Sequence, residues 1–497
     1  MKLKYISMLV LGASLGLTSC NDFLDKEPES NVTPAAFFTA ESDLAAYTIN
    51  LYGVLTSIAP GSYGMGTFAY DNATDNQAAT GYSSRWVPGN WKVGQSGGAW
   101  DFGNIRNVNY FLDQVLPKYE AGKISGAATN VRHYIGEAYF LRAYLYLDKL
   151  QSLGDFPIVL TALPDDKETL VQASKRQPRH KVAQQILDDL DKALELLSQT
   201  APGGKNRISR DAALLLRSRA ALFEATWEKY HKGTAFVPGG PGWPGNAEDV
   251  KDFNIDSSID HFLTEAMKSS KELGDKLVGN LVENTDAEEG QDRNLASTNP
   301  YYTMFCDKDM SGYSEVIMYR AFDRLKANVT HNIQMQLQRN GGGTGWTRGL
   351  VNSFLMRNGL PIYAANSGYD ANWENQGIKA TLQNRDSRIK IFTKVDNGIE
   401  NYTDDGVNSV DLSWTVKGNN ETRMVTGYAV KKGKNYDTQQ QLNHHFGESG
   451  SIVFRGTEAL LNYMEASWLK SNTIDATADK YWRALRTRAK VDPDYNK

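Results

Sequence analysis

The stretch EAYFLRAYLYLDKL, Glu137 to Leu150, places apolar side chains on nearly every side of a helical wheel. A helix that is apolar all round has to be enclosed by other elements. It therefore predicts a central, buried helix, and the rest of the chain has to supply its walls. Glu137 and Arg142 interrupt the apolar surface and need partners, because an unpaired buried charge is costly.

The walls are legible as further helices. Leu44, Tyr47, Leu51 and Val54 fall at helical spacing, with Thr39 or Ser42 as N-caps. The pattern returns at Ile105, Val108, Leu112 and Val115, at Val182, Ile186, Leu190, Ala193 and Leu197, and at Ala213, Leu216, Ala220, Phe223 and Trp227. It comes back near the end, at Leu461, Met464 and Trp468, then Ala478, Trp482, Leu485 and Ala489. Alanines on these faces let neighbouring helices approach closely. The expected fold is mostly α, with TPR-like stacked helical hairpins and irregular, loop-rich insertions; helix spacing shows no fixed repeat period. Trp227, Trp468 and Trp482 are expected in the core. His231–Asn246 and Arg339–Gly349 are rich in breakers and read as loops. Lys390–Lys394 and Ser451–Phe454 read as short β-prone runs between helices.

The N-terminus carries a different signal. Met1–Lys4 is a positive head, and Ile6–Leu17 is apolar or small but too short to span a bilayer. Leu17-Thr18-Ser19-Cys20 resembles a bacterial lipobox, which makes residues 1–19 a signal peptide and Cys20 the lipidated first residue of the mature chain. More than one acyl chain is needed for a stable hold, at ~0.8 kcal/mol per buried CH2. Loss of the signal takes the formal charge from −4 to −6, which argues against a nucleic-acid partner. Cys306 is the only other cysteine, so a lipidated Cys20 leaves no intrachain disulfide.

Several motifs in order resemble the SusD/RagB family of surface nutrient-binding lipoproteins. They are Asn21–Asp25, Trp100-Asp101 with Asn109–Leu112, Glu137 with Phe140–Ala143 and Gly154–Pro157, Ile208–Ala225, Arg357–Ile362, Asn384–Ile389 and Phe454–Ala466. The resemblance covers nearly the whole chain. It implies one TPR-containing helical domain over residues 20–497 and an outer-membrane location. It also implies a SusC-like TonB-dependent transporter as partner. Family members usually continue past Arg486–Asp492 into another helical stretch, so the resemblance implies a missing C-terminal part.

Catalytic patterns are weak. His444-His445 has no metal-ligand spacing, neither H-E-x-x-H nor a Cys/His cluster occurs, and Gly341–Gly345 lacks a phosphate-loop ending. No cofactor is expected. Binding has the better case, since aromatic rings stack on the C–H faces of sugars while Arg, Asn and Asp address hydroxyls. The loop-like stretch Asp75–Trp91 offers Tyr82, Arg85, Trp86, Asn90 and Trp91; Tyr301, Tyr302 and Trp346 are further candidates. The expected ligand is an oligosaccharide, with an oligopeptide as runner-up. A surface glycoside hydrolase and a helical scaffold are the alternatives of a different class.

Overall fold

A computed structural model describes residues 37–496, apart from 62–63, 82, 91, 93, 95–97, 288–298, 340–341, 404–405, 414–415, 417–422 and 441–442. The signal segment, Cys20 and the Asn21–Asp25 motif lie outside the described residues. Among the described residues, eight long helices carry the fold: α1 (Glu41–Leu51), α2 (Gly103–Glu120), α3 (Ala128–Leu153), α4 (Arg179–Leu196), α5 (Arg210–His231), α6 (Ile255–Leu277), α7 (Thr457–Ser471) and α8 (Ala476–Arg488). From α2 to α8 each packs on the next, giving the stacked helical hairpins expected from the apolar spacing. Residues 278–456 are inserted between α6 and α7 and hold short helices and five of the six strands that form, among the described residues, three two-stranded antiparallel sheets. Their strands are β1 (Gln77–Ala79) with β3 (Thr344–Trp346), β2 (Val316–Arg320) with β6 (Ser451–Arg455), and β4 (Ile399–Thr403) with β5 (Gly406–Ser409). Only β1 comes from outside the insertion and its flank.

Helix α3 is the enclosed element. Ile135, Ala138, Phe140, Leu141, Ala143 and Tyr146 are fully buried on different sides of it, and it ends where Gly154 takes a left-handed φ of 76°. Its two charges have the partners they require. Glu137 accepts from Arg207 at 2.5 Å and lies 3.1 Å from His133. Arg142 grips Asp189 of α4 through Nη2 at 2.7 Å and Nε at 2.8 Å. Arg179 and Glu224 pair at 2.7 Å in the same way. Breaking such a buried pair costs about 3–5 kcal/mol, so these motif residues fix how helices dock. The Gly154–Pro157 turn works likewise. Asp155 accepts from the Arg179 backbone N–H at 2.8 Å and from Trp243 Nε1 at 2.8 Å, and Phe156 stacks on Phe102.

Four expectations change. Helix α1 is capped by Asp43, whose carboxylate accepts from the backbone N–H groups of Thr39 and Ala40, not by the Thr39 or Ser42 hydroxyl. Lys390–Lys394 is no strand: Asp386 accepts from the Arg388 N–H and starts a short helix, Ser387–Phe392. The run Arg339–Gly349 contains β3. Helix α7 buries Ala459, Leu460, Tyr463 and Ala466, which turns Leu461 and Trp468 outward, each about half exposed.

Candidate functional site

The platform around β1 and β3 is built from polar side chains committed to backbone. Gln77 pairs with Trp346 in register, and its Nε2 lies 2.8 Å from Thr344 Oγ1 and 3.0 Å from Asn72 Oδ1. Thr347 N donates to Asn76 O at 2.9 Å, and Trp346 N donates to Tyr428 O at 2.8 Å. Strand β3 comes so close to the 426–428 segment that a Cβ on Gly345 would sit 2.4 Å from Thr426 Oγ1. A residue with a side chain would push the platform apart.

Loop residues ride on this frame. Ala73 adopts a left-handed φ of 68°, and its N–H donates to Gln77 O at 3.0 Å. Its carbonyl then accepts the Trp86 indole N–H. Trp86 is therefore tethered by its one polar atom while its ring stays 65% exposed. Asp71, Asp75 and Asn90 are exposed on the same stretch. Phe68, Asp71, Phe305, Trp346, Lys432 and Ser451 are among the residues that line a cavity of about 270 Å3. Trp346 is half-buried, and its Nε1 is buried without a hydrogen-bond partner among the described residues. An unsatisfied buried donor costs about 1–3 kcal/mol, so local stability alone does not explain a tryptophan here.

Lys432 is the cationic group of the cavity lining. Its Nζ lies 4.5 Å from the Phe305 ring centre and 5.7 Å from that of Phe392. Burial against these rings, with Arg455 and Arg388 nearby, pushes its pKa down to about 8, and Asp71 opposes the shift. The residues read from sequence thus divide. Trp346 lies on the platform and lines the cavity, whereas Trp86 is tied to Ala73 on the loop before β1, with Asn90 further along the Trp86 stretch. Tyr82 and Trp91 lie outside the described residues, and the side chain of Arg85 is likewise not described.

Tyr301 and Tyr302 correct the expectation of ligand contact. They are 3% and 5% exposed, and the Tyr302 hydroxyl donates to Lys434 O at 2.7 Å. Their rings pack with Phe392, because the short helix Pro300–Thr303 turns them inward. Lys432, Asp71, Phe68 and Phe305 were not foreseen; the only sequence sign was the run Lys431-Lys432-Gly433-Lys434. Among the described residues, no group of three or more His, Cys, Asp or Glu is placed to hold a metal ion.

Known proteins can now be set beside this geometry. A family model described as starch-binding and associating with the outer membrane matches residues 22–222, and the SusD family model matches residues 314–495. The chain belongs to the SusD/RagB family. A SusD-like protein of Formosa agariphila is 23% identical over 226 residues, 42% of this chain and 41% of that protein. This chain thus aligns with about two fifths of that relative's length. A SusD-like protein of Bacteroides fragilis has the same fold at a TM-score of 0.61 and 19% identity, covering 95% of this chain and 83% of that one. A second from that organism, described as a SusD-like carbohydrate binding protein, matches at a TM-score of 0.60 and 17% identity, covering 92% and 79%. SusD/RagB proteins share a TPR-like helical fold and associate with the outer membrane.

Proposed function

We propose that this SusD/RagB protein captures an oligosaccharide at the outer-membrane surface and delivers it to a SusC-like TonB-dependent transporter. The lipid on Cys20 is its anchor. The observation that carries the reading is Trp86, 65% exposed yet held at its indole N–H by Ala73, two residues from Asp71, which lines a cavity walled by Phe68, Phe305 and Trp346. A preformed aromatic platform stacks on sugar C–H faces with few torsions left to freeze. The surrounding Asp71, Asp75 and Asn90 suit hydroxyl groups. The ligand leaves as it arrived, with no covalent step.

Calorimetry against panels of oligosaccharides and oligopeptides tests this. Heat from saccharides, weakened about tenfold by Trp86→Ala, is expected. Heat from peptides alone would make the protein a peptide receptor, and release of shortened sugars would make it a hydrolase. Anchoring is checked separately: Cys20→Ser moves the protein from the membrane fraction to the soluble one.

A further inference from the structure

Lys431 and Lys434 flank the cavity-lining Lys432 in sequence, and they and the nearby insertion residue Lys394 are spoken for. Lys394 pairs with Glu400 at 2.6 Å, Lys434 donates to Ile399 O at 2.8 Å, and Lys431 is buried with partners of its own. Lys432 differs. Among the described residues, its ammonium has no hydrogen bond and no carboxylate within ion-pair distance, only the faces of Phe305 and Phe392. Its cationic neighbours are already matched: Arg455 with Glu315 at 3.3 Å and Arg388 with Asp386 at 2.6 Å. The one acid acting on Lys432 is Asp71, on the exposed loop lining the same cavity.

A ring face attracts a cation but accepts none of its three N–H donors in the way an oxygen does. Lys432 is half-buried, and an anion seated on a partly desolvated cation is bound more strongly than at an open surface. At about 270 Å3 the cavity lies just below the usual span of ligand pockets, which suits one ring of a longer chain. The geometry points to Lys432 as the residue that selects an acidic sugar, with the carboxylate of one sugar unit seated on its ammonium between Phe305 and Trp346. This inference rests on the glycan reading above and narrows it from sugars in general to those bearing a carboxylate. Asp71 then acts as a counterweight that weakens binding of the acid.

Calorimetry with a uronic-acid oligosaccharide and a neutral one of equal length tests it, using wild type, Lys432→Gln and Asp71→Asn. The acidic sugar is expected to bind wild type at least about tenfold more tightly. Lys432→Gln abolishes that preference by weakening the acidic sugar at least about tenfold more than the neutral one, and Asp71→Asn widens it. Neutral and acidic sugars binding wild type equally would overturn the inference and leave the glycan reading standing. A preference that survives Lys432→Gln would overturn it too, since another group would then read the acid. If neither sugar binds, the glycan reading itself falls. Asp71 is exposed, so its variant reports on the cavity charge even where the Lys432 variant folds poorly.

Discussion

Glu228 of α5 is fully buried, and its carboxylate has little to hold. One oxygen accepts from Ser258 Oγ at 2.9 Å, and the other has no hydrogen-bond partner among the described residues. Burial raises its pKa, the Glu224 carboxylate one turn away adds to the rise, and Arg179 only partly offsets them because it is committed to Glu224; the result is about 8, against an ordinary 4.5. A raised carboxyl pKa means the folded state holds a proton that the unfolded chain has released. The stability this gives is complete below about 4.5 and is lost as pH rises through about 8. Glu228→Gln keeps the neutral shape at every pH. Its melting temperature should match wild type at pH 5 and exceed it at pH 9, by the equivalent of at least ~1 kcal/mol. Equal melting at both pH values would place the charge of Glu228 in a better-solvated setting than the fold implies.

Among the elements, how closely two helices approach decides more than how apolar their faces look. Leu461, Met464 and Trp468 form the larger apolar stripe of α7, yet the face that packs is the one bearing Ala459, Leu460, Tyr463 and Ala466. Side-chain size misled the sequence reading there, since small residues admit a neighbour that large ones hold off. The central helix was legible because burial on every side leaves a pattern in the chain itself. Its partners Arg207 and Asp189 were not, because nothing local marks an ion pair formed across dozens of residues. The site shows the same division. Trp86 and Trp346 stand out in breaker-rich loops, whereas Phe305 and Lys432 reach the cavity from distant segments, and the inward turn of Tyr301 and Tyr302 depends on packing alone.

Close approach also makes a specific test at Gly274 of α6. A Cβ there would lie 2.6 Å from the Tyr481 hydroxyl and 2.9 Å from its ring edge, and Tyr481 is fully buried. Alanine favours a helix over glycine by roughly 1 kcal/mol, but overpacking costs about 1–3 kcal/mol. With the ring unable to retreat, the clash wins. Gly274→Ala should lower the melting temperature, and adding Tyr481→Phe should recover part of the loss because the nearest atom is the hydroxyl.

For the whole molecule the question is what joins the long insertion to the helical stack. Glu315, fully buried just before β2, is one such junction. Its carboxylate accepts from Arg488 at the end of α8, from Arg455 at the end of β6 at 3.3 Å, from the Thr457 hydroxyl at the start of α7, and from Val282 N at 2.8 Å. Burial pushes its pKa upward, but Arg488 and Arg455 outweigh that and hold it below the ordinary carboxylate range. The ionised form therefore contributes stability above the unfolded pKa, and that contribution is lost as pH falls through the lowered folded value. Glu315→Gln preserves the shape and leaves two arginines without their counter-charge, at a cost of about 3 kcal/mol. Denaturant titration should show the variant weaker than wild type by that order at pH 7, with the gap closing toward pH 3. Because four segments meet at one carboxylate, the loss should move the unfolding of helices and insertion together. A variant in which the insertion unfolds at lower denaturant while the helical signal stays put would mean that other contacts, not Glu315, couple the two.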